Sequence, residues 1–233
     1  MLIKFFTIIE LLVVFAVIVV LLSLLNPTFQ KITESANRTE CLTRQKGVIA
    51  TVHVMSDDND GYLPSSGKTH ARSMHPRQYK IFMSYIDDPS AMICPNVNFE
   101  GKGNKAIKRN FQTMHLGYQY FGNNTYLQSR RRANNPRRNY LLPLRVIDDP
   151  QSTLIADDNG YANSGLHSTG GSWVMAPHHV YEDQVAVSNG VTPISVGADG
   201  GNVGLLDGSA RWKDIYDMNE YHNSTTSTHF GYW

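Results

Sequence analysis

Residues 5–25 read FFTIIELLVVFAVIVVLLSLL, broken only by Thr7, Glu10 and Ser23. No later stretch is comparably apolar. As a helix rising ~1.5 Å per residue the run is about 30 Å long, the thickness of a bilayer's hydrocarbon core. The pattern then changes. Between residues 28 and 56 apolar positions recur at Phe29, Ile32, Ala36, Leu42, Val48, Ile49, Val52 and Met55, mostly in steps of three and four or their sums. That is the spacing of an amphipathic helix. Asn26-Pro27 separates the two patterns. Proline inside a helix removes a backbone hydrogen bond and clashes with the preceding turn, so a kink is predicted there. Gly47 is a softer weak point. Asp57-Asp58-Asn59-Asp60-Gly61 is turn chemistry that ends the helix. The expected sum is one helix of about 50 residues, ~75 Å long, half in a membrane-like setting and half packed on a domain.

After Gly61 the apolar runs become short. Residues 79–86 fit a helix or a strand, and 111–121, with alternating aromatics, fit a strand. Residues 141–147, 152–156, 172–176 and 184–187 read as further strands, and 160–171 as turns. Residues 202–206 and 209–212 flank Asp207-Gly208, the strongest hairpin signal in the chain. Residues 214–233 give no assignable element. One helix followed by many short strands predicts an α+β fold, with the long N-terminal α-helix, kinked near Pro27, packed on a C-terminal antiparallel β-sheet domain with long loops. The expected division is a short leader at 1–5, the helix at 6–58 and a β-rich head at 59–233.

The 233 residues suffice for the helix and one compact domain. Mean hydropathy is −0.32 even with the apolar N-terminus included, so the remainder is polar. A net charge of +1 gives no global attraction to nucleic acid, and the basic run RRRANNPRR at 130–138 reads as a solvated loop or a subunit contact. The N-terminal run is longer than a signal-peptide core and lacks a small-x-small cleavage site, so it is expected to be retained. Lys4 before it and Lys31 after it do not settle its orientation. Two cysteines, Cys41 and Cys94, fit a single disulfide in an oxidising compartment. It would pin a loop to the helix and stabilise by roughly 3–4.5 kcal/mol in the chain-entropy model. The alternative is two unpaired buried thiols.

Other clusters are weaker. Asp57, Asp58, Asn59 and Asp60 form an EF-hand-like fragment with enough oxygen ligands to hold Ca²⁺, but the twelfth-position glutamate is missing and a helix-ending turn also explains them. Asp157-Asp158-Asn159 echoes that loop and is weighed the same way. His178-His179 with Asp183 lacks a ligand spacing and reads as a surface loop. Asn37, Asn123 and Asn223 fit the glycosylation acceptor pattern, which is frequent by chance. No nucleophile–base motif, phosphate loop or cysteine–histidine zinc set is legible, so no enzyme activity and no cofactor are expected. Glu10 stands apart. A carboxylate in an apolar span costs roughly 2.5–3.5 kcal/mol on insertion scales, which marks it as functional.

Lys4 followed by Phe6-Thr7-Ile8-Ile9-Glu10-Leu11-Leu12-Val13-Val14 resembles the type IV prepilin signature of bacterial pilins and type II secretion pseudopilins. Cys41-Leu42, DDNDGYLP at 57–64, Cys94-Pro95 and the 202–208 hairpin resemble a group of pilin-like proteins from planctomycete and lentisphaera-type bacteria. The resemblance implies a prepilin peptidase that cuts before Phe6 and methylates its amine. Phe5 stands where the family normally has glycine, which leaves removal of the leader open. It implies an inner-membrane precursor that pilus or secretion machinery assembles into an extracellular or periplasmic homo-oligomeric filament. Residues 6–25 would form the filament core, with Glu10 of one subunit pairing the Phe6 ammonium of its neighbour and Pro27 loosening the helix. Such a pair sets register more than it stabilises. The alternative is a single-span anchored binding or enzymatic domain whose helix is only a tether.

Overall fold

The structure is a computed structural model of the whole chain. It describes residues 7–86, 88–97, 107–110, 113–128, 142–163, 172–178, 181–186, 188, 190–222 and 229–233, without the side chains of 24–28, 107–110, 126, 128, 173 and 181–186. It is a mixed helix-and-sheet fold in which an N-terminal helix precedes several antiparallel sheets. Two compact units divide at Asn37/Arg38.

Helix α1 is Ile8–Asp57. In the first unit its side chains are largely exposed, among them Leu12, Phe15, Val19, Phe29 and Ile32. Among the described residues no helical stretch is long and apolar enough to cross a membrane, and the described side chains of the apolar run stop at Ser23. The predicted strip splits at the unit boundary. Phe29 and Ile32 stay open, while Val48, Ile49, Val52 and Met55 are buried in the second unit. The helix ends as its turn chemistry dictates. Asp60 (φ 51°) and Gly61 (φ 77°) take the left-handed conformation, and the Gly61 amide donates to the Ser56 carbonyl at 2.8 Å.

The second unit holds β1 (Ser73–Met74), α2 (Pro76–Met83), β2 (Ile107–Asn110), β3 (Thr113–His115), β4 (Tyr118–Tyr120), α3 (Thr125–Gln128), β5 (Thr153–Asp157), β6 (Gly160–Ala162), β7 (Trp173–Ala176), β8 (Tyr181–Ala186), β9 (Gly200–Leu205), β10 (Ala210–Asp214), β11 (Glu220–His222) and β12 (His229–Tyr232). They form three antiparallel sheets in the orders β1-β3-β2, β10-β9-β5-β4 and β11-β12-β6-β7-β8. The β9–β10 hairpin turns at Asp207-Gly208 as predicted, with Ala210 opposite Gly204 and Asp214 opposite Gly200. The tail that gave no element becomes β11 and β12, and β12 pairs with β6 inside a stretch expected to be turns. Of 141–147, the described part makes only an isolated bridge, Arg145 to Tyr62, rather than a strand.

The four-stranded sheet is covered on both faces. On one, Val48, Ile49 and Val52 of α1 share a core with Tyr118, Leu154, Ile155 and Leu206. On the other, Phe121, Tyr161, Val174, Val203, Phe230 and Trp233 form a second core. A strand buried on both faces need not alternate, which is why every residue of β9, Gly-Gly-Asn-Val-Gly-Leu, is buried. Gly204 admits the helix. A Cβ there would stand 2.7 Å from Ile49 Cδ1 and 2.8 Å from Ile155 Cγ2.

Candidate functional site

The interior of the second unit gathers four chemically active side chains from four places in the chain. Cys41 comes from α1, Cys94 follows the short 3₁₀ turn Pro89–Met92, Asp157 ends β5 and His178 follows β7. One ligand atom from each lies within 4.8 Å of all the others, and all four residues are buried. The Cys41 thiol donates to Asp157 Oδ1 at 2.7 Å. His178 Nε2 is 3.0 Å from Asp157 Oδ2 and 3.5 Å from Cys94 Sγ.

A second layer holds these groups in place. Gln45 Nε2, one helical turn beyond Cys41, donates to Asp157 Oδ1 at 2.9 Å. The Asn202 amide of β9 donates to Asp157 Oδ2 at 2.5 Å. Gly201 makes that approach feasible, because a Cβ there would stand 2.9 Å from Asp157 Cβ. On the far side of the imidazole, Asn96 Nδ2 lies 3.2 Å from His178 Nδ1. The His178 ring meets Trp212 edge-on at 5.1 Å, and the Arg38 guanidinium sits 4.1 Å over the Trp212 ring while also pairing with Asp199. Burial pushes the Cys41 thiol well up, and hydrogen bonding to Cys94 and the charge of Asp157 push it further. It is held as a thiol.

The neighbouring Asp158 is also fully buried and lies 3.3 Å from Arg72 Nε, itself buried. Burial raises the Asp158 carboxyl, and the Arg72 charge opposes that rise. A pair this deep is held by its mutual attraction, since either charge alone in the interior costs several kcal/mol. Asn159 completes the turn by donating from Nδ2 to the Gly200 carbonyl at 2.9 Å. Asp157-Asp158-Asn159 is therefore an internal junction between two sheets.

Several expectations are corrected. The Cys41–Cys94 disulfide is not formed. Neither residue is disulfide-bonded, and their sulfurs face His178 and Asp157 as well as each other. His178 is not on a surface loop, since it is 2% exposed. His179 and the Asp183 side chain lie outside the described residues. Of Asp57, Asp58, Asn59 and Asp60, weighed above for Ca²⁺, three are engaged by protein partners. Asp58 accepts from Tyr85 Oη at 2.9 Å, Asn59 Nδ2 donates to the Tyr62 carbonyl at 3.2 Å, and the Asp60 carbonyl accepts from Arg145 at 3.0 Å. Asn123 Nδ2 donates to the Leu63 carbonyl at 2.8 Å, so that amide is engaged in the fold.

Phe5, Phe6 and the basic run at 130–138 lie outside the described residues, and Pro27 falls within α1. Glu10 is exposed in a defined local geometry. Its carboxylate accepts from the Thr7 amide and the Thr7 hydroxyl, each at 2.8 Å, and the Glu10 amide donates to Thr7 Oγ1 at 3.3 Å. That is a reciprocal capping box, and its Thr-x-x-Glu pattern stands in the sequence at 7–10. The buried cluster carried no comparable signal, because its four members are far apart in sequence. Its two cysteines were paired from the sequence as a disulfide, but nothing there joined them to Asp157 or His178.

Neither a protein-family model, nor a curated protein, nor a solved structure matches this chain.

Proposed function

We propose that this chain is a structural subunit of a type IV pilus-like or pseudopilus filament, held in a membrane by its N-terminal helix before assembly and packed through that helix afterwards. The observation that carries the reading is the open apolar surface of α1. Ile8 is 85% exposed, and Leu12, Phe15, Val19 and Leu22 are each more than half exposed. Apolar surface of that extent is stable only in lipid or against other chains. Pro27 would relax the long helix between its two environments.

Glu10 has a double role in this reading. Within one chain it closes the N-terminal capping box with Thr7. In the filament its charge would meet the amine of a neighbouring Phe6 and fix the axial register. The tethered-enzyme alternative draws no support from the cysteine–histidine–aspartate cluster. That set has the residue types of a nucleophilic triad, but its members are between 0% and 2% exposed and admit no substrate.

Intact-mass spectrometry of the native protein, with electron microscopy of the same cells, tests the proposal. The expected chain begins at Phe6, carries one added methyl group and occurs in filaments. A monomer that retains Met1 in cells without filaments contradicts the proposal and favours the tether.

A further inference from the structure

We propose that Cys41, Cys94, Asp157 and His178 bind one zinc-class divalent ion that fastens α1 to the sheets of the second unit. The inference stands independently of the filament reading. Two sulfurs, one imidazole nitrogen and one carboxylate oxygen are the donor types that tetrahedral Zn²⁺ selects over hard oxygen-seeking cations. In such a centre, with metal–sulfur bonds of ~2.3 Å and metal–nitrogen or –oxygen bonds of ~2.0 Å, the donors stand roughly 3.3–3.8 Å apart. The four donor atoms already lie within 4.8 Å of one another. Cys94 Sγ to His178 Nε2, at 3.5 Å, already matches that edge, while Cys41 Sγ to Asp157 Oδ1, at 2.7 Å, and His178 Nε2 to Asp157 Oδ2, at 3.0 Å, are shorter hydrogen-bond contacts that open as the protons leave. Drawing the widest separation, at most 4.8 Å, in to that edge completes the tetrahedron.

Burial decides between a structural and a catalytic centre. A catalytic zinc keeps one position open to water or substrate, whereas a structural one is closed by four protein ligands. Here all four ligands come from the protein and are buried. The surroundings match what ligating groups need. Gln45 and the Asn202 amide orient the Asp157 carboxyl, and Asn96 holds the far nitrogen of His178, so that Nε2 faces the other three donors. Such outer partners fix ligand geometry. Binding releases the two thiol protons, and the imidazole proton passes from Nε2 to Nδ1, where the Asn96 amide, turned by half a turn, accepts it.

The test uses the full chain in detergent, purified under reducing conditions without chelator. Elemental analysis should find about one zinc per chain. Replacement by Co²⁺ alone should give the thiolate-to-cobalt charge-transfer band and the intense visible bands of a tetrahedral site. Cys94→Ser and His178→Ala should abolish both. Asn96→Ala, which removes an outer partner only, should keep the tetrahedral spectrum at saturation and weaken cobalt affinity by roughly 10–100-fold. Wild-type protein that holds no stoichiometric zinc and gives no tetrahedral cobalt spectrum overturns the proposal without reliance on any variant. So does an intact mass lower by two hydrogens in protein isolated without reductant and free of zinc, because the two sulfurs would then be joined to each other.

Discussion

His70 and His229 meet ring to ring at 4.9 Å beside Arg72, and both titrate far below a solvated histidine. Burial, then the charges of His229, Arg72 and Lys68, hold His70 down to about 4, and burial with Arg72 does the same for His229. The folded state keeps both rings neutral where the unfolded chain protonates, so the unfolded chain binds more protons below its own pKa of about 6.5. The stability these neutral rings allow is complete above that value and is lost as pH falls toward about 4. The expected loss between pH 7 and 5.5 is about 1 kcal/mol per histidine, read by denaturant unfolding at the two pH values. Equal stability at both would contradict the burial of the pair. At this scale the legible features are the local ones. Thr7-x-x-Glu10 is a capping pattern, and Asp60-Gly61 a helix stop, because each acts within one turn of chain. His178 beside Asp157 and Cys41 was hidden, since only the pairing of distant strands brings those residues together.

Elements were legible where one periodicity ruled. The α1 end at Asp57 and the Asp207-Gly208 hairpin follow from turn chemistry and alternation. The missed strands have other causes. β6, Gly160–Ala162, is too short and glycine-led to show a pattern, and β12 is held by pairing with β6 rather than by its own propensity. The described part of 141–147 had the apolar content of a strand but lacks a neighbour to pair with beyond Tyr62. Helix α1 itself carries a removable weakness at Gly47, which is exposed and has open space where a Cβ would go. Gly47→Ala should therefore stabilise by about 0.5–1 kcal/mol through helix propensity and a stiffer unfolded chain, raising the thermal midpoint by a few degrees. A lowered midpoint would mean that the glycine serves a bend or a contact that one chain does not show.

For the whole molecule the division of α1 matters most. Residues from Arg38 onward belong to a compact unit with its own two cores, and the side chains described before it stay mostly open. The sequence announced the apolar run but placed the head's start at residue 59. Amphipathic spacing predicts that half of the helix packs on a domain but does not name the surface it meets, which from Arg38 on is the core of the second unit, met through one helix face. The filament account depends on the open part, and within it on the charge of Glu10. Glu10→Gln separates the two roles of that side chain, since glutamine still serves a capping box but carries no charge. Thr7→Val does the reverse, removing the capping hydroxyl and leaving the carboxylate. The decisive measurement is filament mass per cell by electron microscopy and sheared-fraction assay for these two variants, at equal membrane levels of subunit. The account predicts that Glu10→Gln loses most of its filaments while Thr7→Val assembles near normally. Normal assembly of Glu10→Gln would contradict it and leave Glu10 as a helix cap alone.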